Sequence, residues 1–136
     1  MEQTAAAVAL ALNRPGLDWK VCYQSRVGPL EWIGPSTEAE IIRAGKDGVP
    51  LVVVPIAFVS EHSETLVELD IEYRELAREH GLPAYVRVPA LGVSAGYIDT
   101  LVDLVAQARA GAAVIADGGP RLCPSDYRCC GQATEA

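Results

Sequence analysis

The amino-acid sequence predicts an α/β fold of three layers, a parallel sheet with helices on both faces. Three observations carry this. Segments of helical period alternate with short β-branched runs, and such alternation calls for βαβ crossovers and a parallel sheet. The run Leu51-Val52-Val53-Val54-Pro55-Ile56 is continuously apolar, as a strand buried on both faces must be. Gly81, with Pro83 after it, stands where the longest helical pattern ends.

Each element follows in order. Glu2 to Leu12 is Ala-rich and has no breaker, with a glutamate at the end where the helix dipole favours it; Asn13-Arg14-Pro15-Gly16 ends it. Trp19 to Gln24 is a short apolar run and reads as the first strand. Ser25 to Pro35 is an irregular loop with Gly28-Pro29 and Gly34-Pro35 as bends. Ser36 is an N-cap candidate for a second helix, with Ala39 where a capping box would have Glu, and Gly45 to Gly48 stops it. Leu51 to Ile56 is the second strand and Val59 to His62 a loop. Glu64 to His80 is a long helix, with Leu66, Leu69, Tyr73, Leu76 and Ala77 at near-helical spacing. Ala84 to Val88 is the third strand, and Gly96 to Ala110 the last helix. Three strands make a thin sheet, and no strand precedes the opening helix. The sequence therefore reads as one lobe, 1–112, that begins partway through a larger fold, followed by a Cys-containing tail, 113–136.

Composition bounds the function. Half of the 136 residues are hydrophobic, enough for a core, and 18 acidic against 11 basic residues give a net charge of −7. That balance argues against nucleic acid, whose phosphates need clustered Lys and Arg, and suits a chain that handles cations. No apolar run approaches the roughly 20 residues of a spanning helix. Met1-Glu2-Gln3-Thr4 lacks the basic region of a secretory signal, so the expectation is a cytoplasmic protein, with peripheral contact to a membrane surface as an extension. Of four cysteines, Cys22 lies in an apolar run, and Cys123, Cys129 and Cys130 crowd the tail. In a reducing compartment such a cluster is metal-binding or idle more often than disulfide-bonded.

Ligands of open α/β sheets sit at the carboxyl ends of the strands. Two loops there hold unusual residues. In Phe58-Val59-Ser60-Glu61-His62-Ser63-Glu64-Thr65, His62 and Glu64 flank one residue where a strand hands over to a helix. A His and a carboxylate so placed can exchange protons near neutral pH or ligate a divalent ion; they can equally be a solvated helix start. Glu64, Glu68 and Glu72 recur at i, i+4 and i+8, a stripe able to pass cations or protons, or a plain solvated face. The earlier loop offers Arg26 for a carboxylate and Trp32 beside Gly-Pro bends as a floor for a flat apolar ligand, or as its own small core. P-loop, Rossmann, nucleophile-elbow and zinc-protease motifs are absent from the sequence.

The strings Tyr23-Gln24-Ser25-Arg26-Val27-Gly28-Pro29, Glu31-Trp32-Ile33-Gly34-Pro35-Ser36-Thr37, Val54-Pro55-Ile56-Ala57-Phe58-Val59-Ser60-Glu61-His62-Ser63-Glu64-Thr65-Leu66 and Glu68-Leu69-Asp70-Ile71-Glu72-Tyr73 resemble, in order and spacing, the C-terminal half of the ferrochelatase family. The resemblance runs from about Thr4 to Val105. It implies a chelatase-like half of a two-lobe fold with a porphyrin cleft between the lobes. The implied reaction inserts the substrate Fe²⁺ into protoporphyrin IX to form protohaem, with release of two pyrrole protons from a bent ring. His62 and Glu64 match catalytic residues; Glu64, Glu68 and Glu72 match a metal or proton track on a helix that is partly π-helical; Gln24, Ser25, Arg26, Trp32 and Phe58 match the porphyrin pocket. The family's other active-site histidine lies in a lobe that this sequence lacks. Cys123, Cys129 and Cys130 resemble the cysteine-rich end of members with a [2Fe–2S] cluster; such a cluster needs four thiolates, and the family's fourth comes from the absent lobe. Two other readings stay open: a one-lobe tetrapyrrole chelatase that dimerises to build its cleft, and a non-catalytic metal- or haem-binding fragment. A lobe without its partner lobe should expose apolar surface and self-associate.

Overall fold

A computed structural model describes residues 1–25, 28–29, 31–111 and 126. The chain forms two compact units, Met1–Gly92 and Val93–Ala136. The expected boundary between lobe and tail, at 112 and 113, lies outside the described residues.

The first unit opens with α1 (Glu2–Ala11), none of whose residues is buried. Next comes α2 (Thr37–Asp47), which starts where the sequence predicts: the Ser36 Oγ accepts the Ala39 N–H at 3.2 Å. Glu38 and Glu40 lie in its first turn and Lys46 in its last, both favourable to the dipole. It ends at Gly48, whose φ of 64° turns the chain so that the Gly48 N–H donates to the Gly45 carbonyl and the Val49 N–H to the Ala44 carbonyl, each at 3.1 Å.

Strands β1 (Leu51–Val53) and β2 (Tyr85–Arg87) pair in parallel, with Leu51 opposite Tyr85, Val52 opposite Val86 and Val53 opposite Arg87. Between them one continuous helix winds in two ways. Thr65–Glu72 is a π-helix and Tyr73–Glu79 is α3. At the junction the Tyr73 N–H donates to the Glu68 carbonyl, five residues back. The buried residues of this helix are Thr65, Leu69, Tyr73 and Ala77. Their spacing of four is wider than the α period of 3.6. Leu66, expected inside, is therefore exposed, and Thr65 takes the inward position with no exposure at all.

Ile41 of α2, Leu69, Tyr73 and Ala77 make the core, with Leu51, Val53, Leu76, Leu82 and Tyr85 packed against it. The Tyr85 hydroxyl donates to the Leu69 carbonyl at 2.8 Å, so the polar end of a half-buried ring is satisfied. Burial against this core pushes the phenol up to about 12.

The fold is α/β, as predicted, with two corrections. The expected strand Trp19–Gln24 makes only an isolated parallel bridge, Tyr23 to Ser36. Its Tyr23 N–H and C=O are taken by Pro35 and Thr37 at the start of α2 (2.9 and 3.0 Å), and β1 pairs with β2 instead. The sheet of the described residues thus has two strands. Helices also cover one face of it, not two, within Met1–Gly92. Leu51, Val53 and Tyr85 face the core, while Val52 and Val86 are 61% and 51% exposed on the other side. The second unit contributes α4 (Ala95–Ala110), an amphipathic-looking segment with no buried residue.

Candidate active site on the loop after β1 and the π-helix

The loop leaving β1 brings Phe58 over His62: the rings stack with centroids 5.1 Å apart and planes 4° from parallel. Local hydrogen bonds fix the imidazole. Its Nδ1 accepts the Glu64 N–H at 3.4 Å, so a neutral ring carries its proton on Nε2. The His62 N–H donates to the buried Thr65 Oγ1 at 3.3 Å, and the His62 carbonyl accepts the Leu66 N–H at 2.9 Å. Glu64 is exposed at the head of the π-helix. His62 and Glu64 are thus adjoining groups on one helix start, able to take and give protons to something in solvent or in a cleft.

One turn on, Glu68 is captured by the other loop. Its Oε2 accepts from the Ser25 hydroxyl at 2.7 Å and from the Gln24 amide at 3.3 Å. Ser25 does this from a left-handed backbone conformation, φ 58°, which is rare outside glycine and collects at functional sites. Glu72, a further turn along, is exposed. Tyr23, Ser25, Trp32, Ile33, Glu38 and Tyr73 line a hollow of about 140 Å³ beside this contact. Burial, then the charges of Glu68 and Glu38, hold the Tyr73 phenol well above the usual tyrosine range, so it stays a neutral donor.

Most of the sequence-predicted residues therefore fall into two groups joined by the π-helix: Phe58, His62 and Glu64 at its head, and Gln24, Ser25, Trp32 and Glu68 along its side. Arg26, Cys123, Cys129 and Cys130 lie outside the described residues. Cys22 is half-buried and accepts from the Thr37 hydroxyl at 3.5 Å; burial pushes its thiol up, away from a ligating thiolate. Among the described residues no three His, Cys, Asp or Glu side chains converge as a metal cage.

Sequence reasoning passed over a third group. Arg87 ends β2 with its side chain one tenth exposed, and binds Glu61 of the loop and Asp70 of the π-helix. Its guanidinium holds both carboxyls below the usual carboxylate range, with the Ala90 N–H adding to the effect on Glu61. The signal was an arginine in a strand position that faces the core side. Tyr73 was read only as packing.

The family model for ferrochelatase matches residues 1–109. The chain belongs to the ferrochelatase family. It is 53% identical over 130 residues to the ferrochelatase of Phenylobacterium zucineum (strain HLK1), which covers 94% of this chain and 37% of that protein. It is 60% identical over 105 residues to the ferrochelatase of Caulobacter vibrioides (strain NA1000 / CB15N), covering 77% and 30%. It is 50% identical over 134 residues to that of Hyphomonas neptunium (strain ATCC 15444), covering 96% and 38%. The chain thus spans about a third of the length of these curated relatives. The first and third of these ferrochelatase matches reach past residue 109 into the tail.

Proposed function

We propose that this chain supplies the C-terminal third of a ferrochelatase site, which inserts Fe²⁺ into protoporphyrin IX and takes away the two pyrrole protons. The observation that carries this is the family match over residues 1–109, combined with a π-helix that carries Glu68 to the Gln24–Ser25 loop and His62 and Glu64 to its exposed head. Two of the four ring nitrogens each lose a proton as the metal goes in, so a base is needed at the porphyrin face. His62 and Glu64 are that base pair in this reading. Glu64, Glu68 and Glu72 form the track for metal or protons. Trp32, Phe58, Arg26, Gln24 and Ser25 bound the porphyrin, with the exposed Trp32 ring as an apolar wall.

The same reading extends to the tail and the surroundings. Cys123, Cys129 and Cys130 would supply three thiolates to a [2Fe–2S] cluster, and the fourth would come from elsewhere in a longer protein. Cys22 does not fit that set, because it is a half-buried thiol engaged with Thr37. A cytoplasmic site with peripheral membrane contact and self-association completes the proposal. No helix among the described residues is long and apolar enough to cross a membrane.

The test measures loss of porphyrin fluorescence with Fe²⁺ or Zn²⁺. It uses the chain alone and the chain joined to the preceding two thirds of the Phenylobacterium zucineum relative. Turnover is expected in the joined protein and is expected to fall about 10²–10⁴-fold in His62→Ala or Glu64→Ala, the range for loss of a general base. Unchanged turnover in both variants would sink the assignment of the base pair.

A further inference from the structure

We propose that Arg87 is a positioning residue that latches the Val59–His62 loop to the π-helix and so sets the orientation of the His62 ring. The inference rests on the reading of His62 as an acid–base group only for its functional meaning; the latch itself is a matter of geometry. Arg87 uses its whole fork. Nε and Nη2 donate to the two Asp70 oxygens at 2.8 and 2.5 Å, and Nη1 donates to both Glu61 oxygens at 2.7 and 3.0 Å. A lysine could keep the charge but not this planar four-bond arrangement.

The rest of the loop shows why this matters. Among the described residues it makes no ladder hydrogen bonds. Beyond the bonds at His62 and to Arg87, its described ties are two: the Val59 carbonyl accepts the Gly92 N–H at 2.6 Å, and Glu61 Oε1 accepts the Ala90 N–H at 3.0 Å. Glu61 directly precedes His62, so whatever fixes Glu61 sets where the Phe58–His62 stack sits. The two arms of the latch are unequal. Asp70 also has the Arg74 guanidinium at 3.9 Å, whereas Arg87 is the cation that Glu61 meets among the described residues. Loss of Arg87 should therefore release the loop more than the helix.

The test uses the 136-residue chain and needs no substrate. The sequence holds two histidines, His62 and His80. With ring-labelled histidine, the ¹H–¹³C spectrum should show His62 displaced upfield by the stacked Phe58, and His80, which caps α3, as an internal reference. Arg87→Lys and Glu61→Gln are each expected to move the His62 signals toward an unstacked position while His80 stays put and the far-ultraviolet circular dichroism is kept. Glu61→Gln guards against misfolding, because it leaves the Arg87–Asp70 pair intact. If His62 does not move in either folded variant, or if both histidines move together, the latch is overturned. Because the spectrum is read without turnover, failure of the latch is separable from failure of the proposed chemistry.

Discussion

The two windings of one helix, π over Thr65–Glu72 and α over Tyr73–Glu79, differ in what their charges do. In the α section Glu75 and Arg78 satisfy each other at 2.5 and 3.0 Å on an exposed surface. In the π section Glu68 and Asp70 reach outward to other segments, to Ser25 and to Arg87. Both sections share one inward stripe, Thr65, Leu69, Tyr73 and Ala77. A four-residue stripe lets the acids one position ahead of it, at 64, 68 and 72, keep to one flank of the buried face. The winding, more than the composition, thus decides which charges meet another segment and which merely face water.

The largest effect that tests this contrast is on the inward stripe. Leu69→Ala should lower unfolding free energy by about 2–5 kcal/mol, while Ile71→Ala, at a site 65% exposed, should stay within about 0.5 kcal/mol. Urea titration of both variants checks this; equal losses would mean that the π register is wrong. Next comes the place where the α section meets α2. A Cβ on Gly45 would lie 2.5 Å from the His80 carbonyl oxygen and 2.9 Å from its Cβ, so Gly45→Ala should cost about 1–3 kcal/mol despite the better helix propensity of alanine. A stabilised variant would show that α3 can slide away.

Ser25→Ala removes a short bond to the Glu68 carboxylate and should cost about 1.5 kcal/mol, the low end for a bond to a charged group, at a half-buried site. Its sharper readout is in the joined protein, where freeing Glu68 should alter turnover while Glu72→Gln leaves the Ser25 contact untouched. Acid should then separate the sections by kind. The carboxyls of Asp70 and Glu61 are held down by Arg87, so their contribution is present above the ordinary carboxylate values of 3.8 and 4.5 and is lost as pH falls through the lowered ones. The Arg87 links to Glu61 and Asp70 should accordingly hold above the usual carboxylate range and loosen below it, read on the carboxylate ¹³C signals of Glu61 and Asp70. The smallest effect is on the α surface: Arg78→Ala should leave the thermal midpoint unchanged within error, because an exposed i,i+3 pair adds little.

Much of this was legible in the residues. The Ser36 cap, the Gly48 and Gly81 stops and the β-branched run at Leu51 are local signals, and each element formed at or near the expected place. The contact of Gln24 and Ser25 with Glu68 joins residues 43 or 44 apart and leaves no periodic trace, and the resemblance set the first two in a porphyrin pocket and the third on a separate acidic track. Three things were not legible. Periodicity assumes the α turn, so the wider winding put Leu66 on the wrong side. Apolar composition does not name a pairing partner, so Trp19–Gln24 read as a strand although Pro35 and Thr37 take the hydrogen bonds of Tyr23. And an ion cluster joining residues 61, 70 and 87 looks, along the chain, like three unrelated surface charges.

The exposed valines of the two-stranded sheet have a consequence in the cell. Val52 and Val86 stand side by side in the parallel register, with Val54 and Val88 also exposed just beyond the strand ends. An exposed apolar patch of this kind invites association or aggregation, and chaperone and protease triage of a marginal chain can change its abundance several-fold. Abundance of this chain in a living cell should accordingly report whether something covers those valines, and Val52→Thr with Val86→Thr should lengthen its lifetime without touching any residue of the proposed site.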